Sequence, residues 1–219
     1  MKKFILCVIF CSAVILVIAS SAFSMTPEEI KILGQMEKGT YTNDTLGLKV
    51  YFDPEKWNVM TEEDIASLRK ITLPSSPDVG ELEKVIKYNF PVFMVIQKKY
   101  GILNVNLTLT DVGKLGEVLA KQQPEKYIDG FLWGLSGKIS NSMQNMELDE
   151  FSVDVSETSS FLNAKRTCIF TKSTYKGVPM YQKLVALVSG HYVYQITVTT
   201  LYLDKTDDIL EMFSKYDSK

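Results

Sequence analysis

Cysteine and histidine are the residues of this chain best suited to nucleophilic chemistry, and few are present. The cysteines are Cys7, Cys11 and Cys168, and His191 is the only histidine. A thiolate activated by an imidazole could serve a hydrolase, so Cys168 and His191 form one candidate catalytic pair. Strand alternation, however, places Cys168 on a mostly apolar face, which favours a buried, unreactive thiol. A single imidazole excludes metal sites built on several histidines.

Two groups of carboxylates are the candidates for a metal site. They are Glu147, Asp149 and Glu150, and then Asp204, Asp207 and Asp208. We expect the second group to complement the dipole at a helix start and the first to be solvated at a strand entry. Calcium binding is the alternative, but neither group has the Asp-x-Asp-x-Asp-Gly spacing of a calcium loop. We therefore predict no catalytic, cofactor-binding or metal-binding residue.

Tyrosines are concentrated toward the C-terminus and form the candidate partner surface. They are Tyr175, Tyr181, Tyr192, Tyr194 and Tyr202. Tyrosine suits a partner or ligand surface because it combines an apolar ring with a polar hydroxyl. Core packing under a helix is the alternative, because Tyr192, Tyr194, Ile196 and Val198 share one face of a predicted strand. The sequence leaves both interpretations open.

The first 24 residues have the order typical of a secretory signal peptide. Lys2 and Lys3 precede an uncharged apolar run from Phe4 to Ala19, and a stretch of mostly small residues follows. We therefore expect the protein to function outside the cytoplasm, either secreted or at another extracytoplasmic location.

Two fates of this segment remain open. Ala22 and Ser24 are small enough for cleavage before Met25, and cleavage before Phe23 is a close alternative. An uncleaved anchor over residues 4–23 is the competing prediction, because the run approaches the roughly 20 residues that span a bilayer. The membrane would be a partner only through that uncleaved segment.

The composition of the mature chain limits the classes of function. Cleavage before Met25 leaves 195 residues, enough for one domain with a substantial core. Cys168 is then the only cysteine, so no intramolecular disulfide can form. The mature chain has 22 basic and 26 acidic residues, a net charge of −4. These charges are interspersed, which disfavours nonspecific binding to nucleic acid.

Periodicity in the first half predicts helices at both ends of a short strand, followed by a hairpin. A Thr cap and a Pro predict a helix over residues 26–39, within an N-terminal helical extension at 25–40. Alternation predicts a strand at 48–52, and a second capped helix is predicted from residue 61. A loop at 72–78 and a helical turn or two at 81–87 follow. Strands are predicted at 91–99 and 102–110.

The second half is predicted as two helices, four strands and a last helix. The helices cover 111–121, with Val112, Leu115 and Leu119 inward, and 125–143. Strands are predicted at 148–155, 161–172, 178–189 and 191–200, and a helix at 204–216. Glycines recur in both middle helices, at Gly113, Gly116, Gly130, Gly134 and Gly137. We interpret them as sites where a helix approaches the sheet closely.

This order of elements predicts the fold class. Two blocks of strands separated by helices, with helices at both ends, indicate one α+β domain over residues 41–219 with a mainly antiparallel sheet. The sequence contains no internal repeat and no long linker.

One segment carries a resemblance to a known family. The stretch YTNDTLGLKVYFDPEKW contains Tyr41, Asn43, Gly47, Leu48, Phe52, Pro54 and Trp57. It resembles the opening of the PsbP-like superfamily, which includes DcrB-like and related small exported bacterial proteins. The order of later elements is also similar, from Tyr41 to about Tyr216.

The resemblance implies an α/β/α sandwich with helices on both sides of an antiparallel sheet. Members of this superfamily are mostly accessory or binding proteins with differing partners, so the resemblance supplies no active site. It favours an exported, noncatalytic module that binds a protein or an envelope component. The alternatives are a secreted hydrolase that uses Cys168 or carboxylates, and a membrane-tethered structural subunit.

Overall fold

The computed structural model describes residues 32–60, 64, 90–97, 103–155 and 158–215. The signal segment and the start of the first predicted helix lie outside these residues. Apart from Asp64, so do the helices and the loop predicted between residues 61 and 88.

Twelve strands and three helices have both ends within the described residues, and Ile32, Leu33 and Asp64 are also helical. In chain order the strands are β1 (Gln35–Glu37), β2 (Thr40–Asn43), β3 (Leu48–Tyr51), β4 (Trp57–Val59), β5 (Phe90–Gln97), β6 (Asn104–Asp111), β7 (Glu150–Asp154), β8 (Thr158–Phe161), β9 (Ala164–Tyr175), β10 (Val178–Ser189), β11 (Tyr192–Leu201) and β12 (Phe213–Lys215). The helices are α1 (Gly113–Gln122), α2 (Pro124–Gln144) and α3 (Thr206–Leu210).

The strands form two antiparallel sheets. The large sheet has the order β4-β5-β6-β11-β10-β9-β7, and β8 also pairs with β9. The small sheet has the order β1-β2-β3-β12, so strands from opposite parts of the sequence pair where β12 meets β3. The α+β class and the mainly antiparallel sheet are thereby confirmed.

The two faces of the large sheet are covered differently. On β10, Val185 and Leu187 join a core cluster with residues of the small sheet, whereas Leu184 and Ala186 join a cluster with residues of α2. We call these the small-sheet face and the helix face. In the described residues, the small sheet, the short α3 and the helical residues Ile32 and Leu33 cover the first of these faces, where the α/β/α expectation placed a helical layer.

Aromatic side chains fill the space between the two sheets. Phe52 is fully buried, and its ring centroid lies 5.3 Å from that of Trp57, 5.9 Å from Phe93 and 6.3 Å from Phe213. Tyr41 adds a contact of 4.6 Å with Phe93. The segment predicted to specify the fold therefore supplies one side of the main core.

Two predicted helices extend too far: residues 32–33 and 206–210 are helical as predicted, but the C-terminal part of each prediction is a strand. Gln35–Glu37, predicted to lie in the N-terminal helix, forms β1 because it pairs with β2. The helix predicted over 204–216 ends at Leu210, and Phe213–Lys215 forms β12 on the edge of β3. Phe213 is buried among the aromatic rings as a strand residue, so tertiary packing overrides the helical pattern.

The middle helices match their predicted ranges closely, but the prediction of which face of α1 points inward is wrong. Leu115 is 74% exposed and Leu119 is also exposed, while Gly116 and Ala120 are buried. The reason is that α1 packs against α2: a Cβ on Gly116 would lie 2.7 Å from the hydroxyl of Tyr127.

The glycines of α2 do not mark a close approach to the sheet. Gly130, Gly134 and Gly137 lie on the exposed side of the helix, and a Cβ at any of them would meet nothing within 4 Å. The sheet is contacted by the opposite side of α2, which buries Leu132, Ile139 and Met143. That interpretation of the glycine stripe is therefore wrong.

The predicted domain bounds and the predicted cleavage or anchoring of the N-terminal segment stay predictions. Within the described ranges, no helix combines the length and apolar character needed to cross a bilayer. The single domain over residues 41–219 stays a prediction.

Candidate binding site on the helix face

A row of polar side chains crosses the helix face at one end of the large sheet. Thr199 on β11 lies opposite Gln182 on β10, which lies opposite Thr171 on β9. The Gln182 amide donates to the Thr199 hydroxyl at 2.9 Å, and the Thr171 hydroxyl donates to the Gln182 carbonyl oxygen at 3.2 Å. We call Thr171, Gln182 and Thr199 the glutamine ladder. Both polar atoms of its buried amide therefore have a hydrogen-bond partner.

The next row contains polar side chains without such partners. Val105, Leu107 and Leu109 on β6 belong to the core beneath the small sheet, so the intervening Asn106 and Thr108 project from the helix face. Thr197 on β11 lies directly opposite Asn106. We call Asn106, Thr108 and Thr197 the polar floor.

The polar floor is completely buried and unsatisfied. Asn106 and Thr197 are 0% exposed and Thr108 is 1% exposed. Both polar atoms of the Asn106 amide and the hydroxyls of Thr108 and Thr197 have no hydrogen-bond partner among the described residues. Each such group costs about 1–3 kcal/mol when buried alone, so this part of the sheet is destabilising unless something bonds to it.

The neighbours of the polar floor within the described sheet are uncharged. In the sheet register Asn106 lies beside Met94 on β5, and Thr197 lies beside Leu184 on β10. Gln195 lies opposite Thr108, and its amide donates to the Thr110 hydroxyl at 2.6 Å. Amides and hydroxyls can hold a ligand through hydrogen bonds, but they do not titrate near neutral pH and cannot act as a general base there.

A buried charge occupies the opposite face. The Lys183 ammonium donates to the Asp207 carboxylate at 2.8 Å, and the Lys183 side chain is 5% exposed. Ser159 also donates a hydrogen bond to Asp207. Burial alone would raise the pKa of Asp207, but the hydrogen bonds from Lys183 and Ser159 outweigh it and lower that pKa. We call this the Lys183 cluster; it attaches α3 and β8 to β10.

The structure brings three of the predicted surface tyrosines to one end of the sheet. Tyr175 lies at the β9–β10 turn, and the backbone of Tyr202 donates to the Pro179 carbonyl at 2.9 Å. Tyr202 is exposed and has a positive φ of 66°. Tyr181, also near this end, is partly exposed and its ring stacks 6.5 Å from Phe170. A partner surface here stays a prediction.

The other two tyrosines lie at the opposite end and point toward the small sheet. Tyr192 is partly buried beside His191, with ring centroids 4.0 Å apart. Tyr194 is fully buried, and its hydroxyl donates to the Ile32 carbonyl at 3.0 Å. Tyr194 therefore belongs to the core and not to a surface, and the carbonyl that accepts its hydrogen bond belongs to the helical residue Ile32.

The other sequence candidates have structural partners. Cys168 is buried in the inter-sheet core, as expected, while His191 sits at the β10–β11 turn. Asp149 accepts from the Gly177 amide at 2.8 Å, and Asp204 accepts from the Thr206 amide at 3.0 Å. In the part of the chain that the structure describes, no group of three or more acidic, histidine or cysteine residues could hold a metal ion.

Sequence reasoning missed the polar floor, although a signal was present. The segment from Asn104 to Thr110 alternates apolar residues with Asn and Thr and contains no charged residue. The segment from Tyr192 to Leu201 is similarly uncharged. A solvated strand face usually carries Lys or Glu, so uncharged polar alternation in two strands indicates a buried polar face.

Comparisons with known proteins leave this site unassigned. No protein-family model and no curated protein match the chain. Among solved structures it is similar to LpqN of Mycobacterium tuberculosis, described as involved in cell envelope biogenesis. The TM-score is 0.34 at 12% identity, covering 76% of this chain and 82% of that one. At that TM-score the likeness carries no inference about function.

Proposed function

We propose that this chain is an exported, noncatalytic module that binds a protein or a component of the cell envelope. The polar floor carries the proposal, because its buried amide and hydroxyls are suited to hold another molecule and have no titratable group with which to move a proton. The Lys2-Lys3 start and the apolar run after it support a location outside the cytoplasm.

We further propose that the domain is PsbP-like. The motif residues Tyr41, Phe52 and Trp57 are buried and contact one another through the ring of Phe52 or Phe93, which is the behaviour expected of fold-determining positions. Gly47 has a positive φ of 56° in the β2–β3 turn, a conformation that glycine adopts without strain.

Recovery of a binding partner tests the proposal. The full chain, carrying a C-terminal affinity tag, is expressed in its source cells, cross-linked and isolated from the exported fraction. We expect one or more molecules to be enriched with the wild-type chain and lost with the double variant Asn106→Leu, Thr197→Val. A matched variant, Tyr51→Ala on the exposed side of β3, should retain them. Equal recovery from all three chains would contradict a role for the polar floor.

The mass of the exported protein tests the location separately. A chain that begins at Met25 or Phe23 has lost the signal segment and is released. A mass that includes residues 1–24 means that the segment remains as a membrane anchor, and the proposal would change to a tethered subunit.

A further inference from the structure

We infer that the polar floor binds an uncharged ligand through a group that both donates and accepts hydrogen bonds, either an amide or a pair of hydroxyls. This inference rests on the proposed function, since it names the chemical class of molecule that the binding module would hold.

The hydrogen-bonding capacity of the floor defines this class. The Asn106 amide offers a donor and an acceptor, and the facing Thr197 hydroxyl can do either. Thr108 adds a third unsatisfied group two residues along β6. A ligand that only accepted or only donated would leave part of the Asn106 amide unsatisfied. A ligand amide or two neighbouring hydroxyls would engage both of its atoms.

The uncharged neighbours of the floor within the described sheet disfavour an ionic ligand. Met94 and Leu184 flank the floor in the sheet register, and neither can compensate a buried charge. The buried cation of this sheet, Lys183, lies on the opposite face and is bonded to Asp207. A phosphate or carboxylate on the floor would therefore be desolvated without a counterion, which is strongly unfavourable.

The glutamine ladder shows that the same face can satisfy an amide internally. Gln182 is 3% exposed and its amide bonds to Thr171 and Thr199, one row away from Asn106. The floor has equivalent side chains, yet Asn106 and Thr197 face each other without a hydrogen bond. This contrast indicates that the polar groups of Asn106 and Thr197 bind a ligand and not another part of the protein.

Nuclear magnetic resonance of the isolated exported protein tests the inference at the residue concerned. The side-chain amide signals of Asn106 are followed during addition of three probes: N,N′-diacetylchitobiose, which carries amides and hydroxyls, cellobiose, which carries hydroxyls alone, and glucose 6-phosphate, which is charged. We expect at least one uncharged probe to shift these signals and the charged probe to leave them unchanged. A shift with diacetylchitobiose alone identifies the amide as the recognised group, and a shift with both identifies the hydroxyls.

Two variants separate ligand binding from protein stability. Thr197→Val removes an unsatisfied hydroxyl at nearly constant volume, so it should raise the Tm of the free protein by about 2–4 °C. The same variant should weaken binding of the active probe by about tenfold. Ser173→Ala is the control, because its hydroxyl is also buried and unsatisfied but lies outside the floor. It should leave probe binding unchanged.

Several outcomes would overturn the inference. One is that no uncharged probe shifts the Asn106 signals at its solubility limit; another is that only glucose 6-phosphate does so. A third is that Ser173→Ala and Thr197→Val weaken binding equally. If a partner is recovered from the exported fraction while the Asn106 signals never move, the binding function stands and the assignment of its ligand to the floor fails.

Discussion

Buried polar side chains of the inter-sheet core and of the polar floor differ in whether they have hydrogen-bond partners. Between the sheets, the Tyr41 hydroxyl donates to the Leu33 carbonyl at 2.7 Å, and the Tyr194 hydroxyl donates to the Ile32 carbonyl at 3.0 Å. Asn43 donates to the Ile32 carbonyl at 2.8 Å and to the Tyr41 hydroxyl at 3.0 Å. Burial raises the pKa of Tyr41 and of Tyr194, so both remain hydrogen-bond donors.

On the helix face, Asn106, Thr108 and Thr197 are as deeply buried and have no comparable partners among the described residues. The two sets therefore differ in hydrogen bonding and not in depth of burial. The inter-sheet hydrogen bonds stabilise the fold, whereas the unsatisfied groups of the floor lower its stability.

The largest effect is expected on the small-sheet face. Phe52→Ala should lower the free energy of unfolding by about 3–5 kcal/mol, because it removes a buried ring that contacts Trp57, Phe93 and Phe213. Urea denaturation measures the loss. Tyr51→Ala, at an exposed neighbouring position, should change stability by less than about 0.5 kcal/mol. A loss at Phe52 below about 1 kcal/mol would mean that the aromatic cluster is not the main core.

The Lys183 cluster should give the next largest effect, and the effect should depend on pH. Asp207→Asn should lower the free energy of unfolding by about 1–3 kcal/mol at pH 7, because it leaves a buried ammonium without its charged acceptor. The folded pKa of Asp207 lies below its ordinary value of 3.8. The carboxylate therefore stabilises the fold above that value, and the contribution disappears as the pH falls through the folded pKa.

Unfolding curves at several pH values test this dependence. The difference between wild type and Asp207→Asn should be constant near neutral pH and should shrink on acidification below about pH 4. Asp208→Asn is the control, since Asp208 is mostly exposed and lies 3.8 Å from Lys205. It should have little effect at any pH. A difference that grew on acidification would contradict the assignment.

The glutamine ladder and the polar floor should respond to the same substitution with opposite signs. Thr171→Val should lower the free energy of unfolding by about 1–2 kcal/mol, because the Gln182 carbonyl oxygen loses its donor. Thr197→Val should stabilise the free protein, since no bond within the described residues is lost. Paired urea denaturation curves measure both changes. Equal signs would remove the distinction between the two rows.

The smallest effects on stability are expected in the helices that cover the helix face. Gly134→Ala should raise the free energy of unfolding by about 0.5–1 kcal/mol, because the added methyl meets open space in an exposed helical turn. Gly116→Ala should lower it, since its Cβ would lie 2.6 Å from a Val112 methyl and 2.7 Å from the Tyr127 hydroxyl. Thermal unfolding measures both, and stabilisation by Gly116→Ala would contradict the packing of α1 on α2.

Local sequence patterns predicted the elements whose environment matches their own period. The alternation of Leu103 to Leu109 and the stripe of Leu132 and Ile139 identified β6 and α2 correctly. The pattern failed where another element changed the environment. Phe213 lies in a strand because it pairs with the edge of β3. Leu115 is exposed because α1 packs on α2 through Gly116.

The sequence by itself determined the α+β class, the antiparallel pairing and the buried aromatic motif, because each depends on periodicity or composition within a short segment. The export signal at the N-terminus stays a prediction. Tertiary structure alone decided which polar residues would be satisfied. Asn43 and Asn106 are the same residue type in strands of similar pattern, and both are fully buried. Asn43 finds a carbonyl of Ile32 eleven residues away, while Asn106 finds none in the described chain, because hydrogen-bond partners are set by the distance between segments and not by the strand itself.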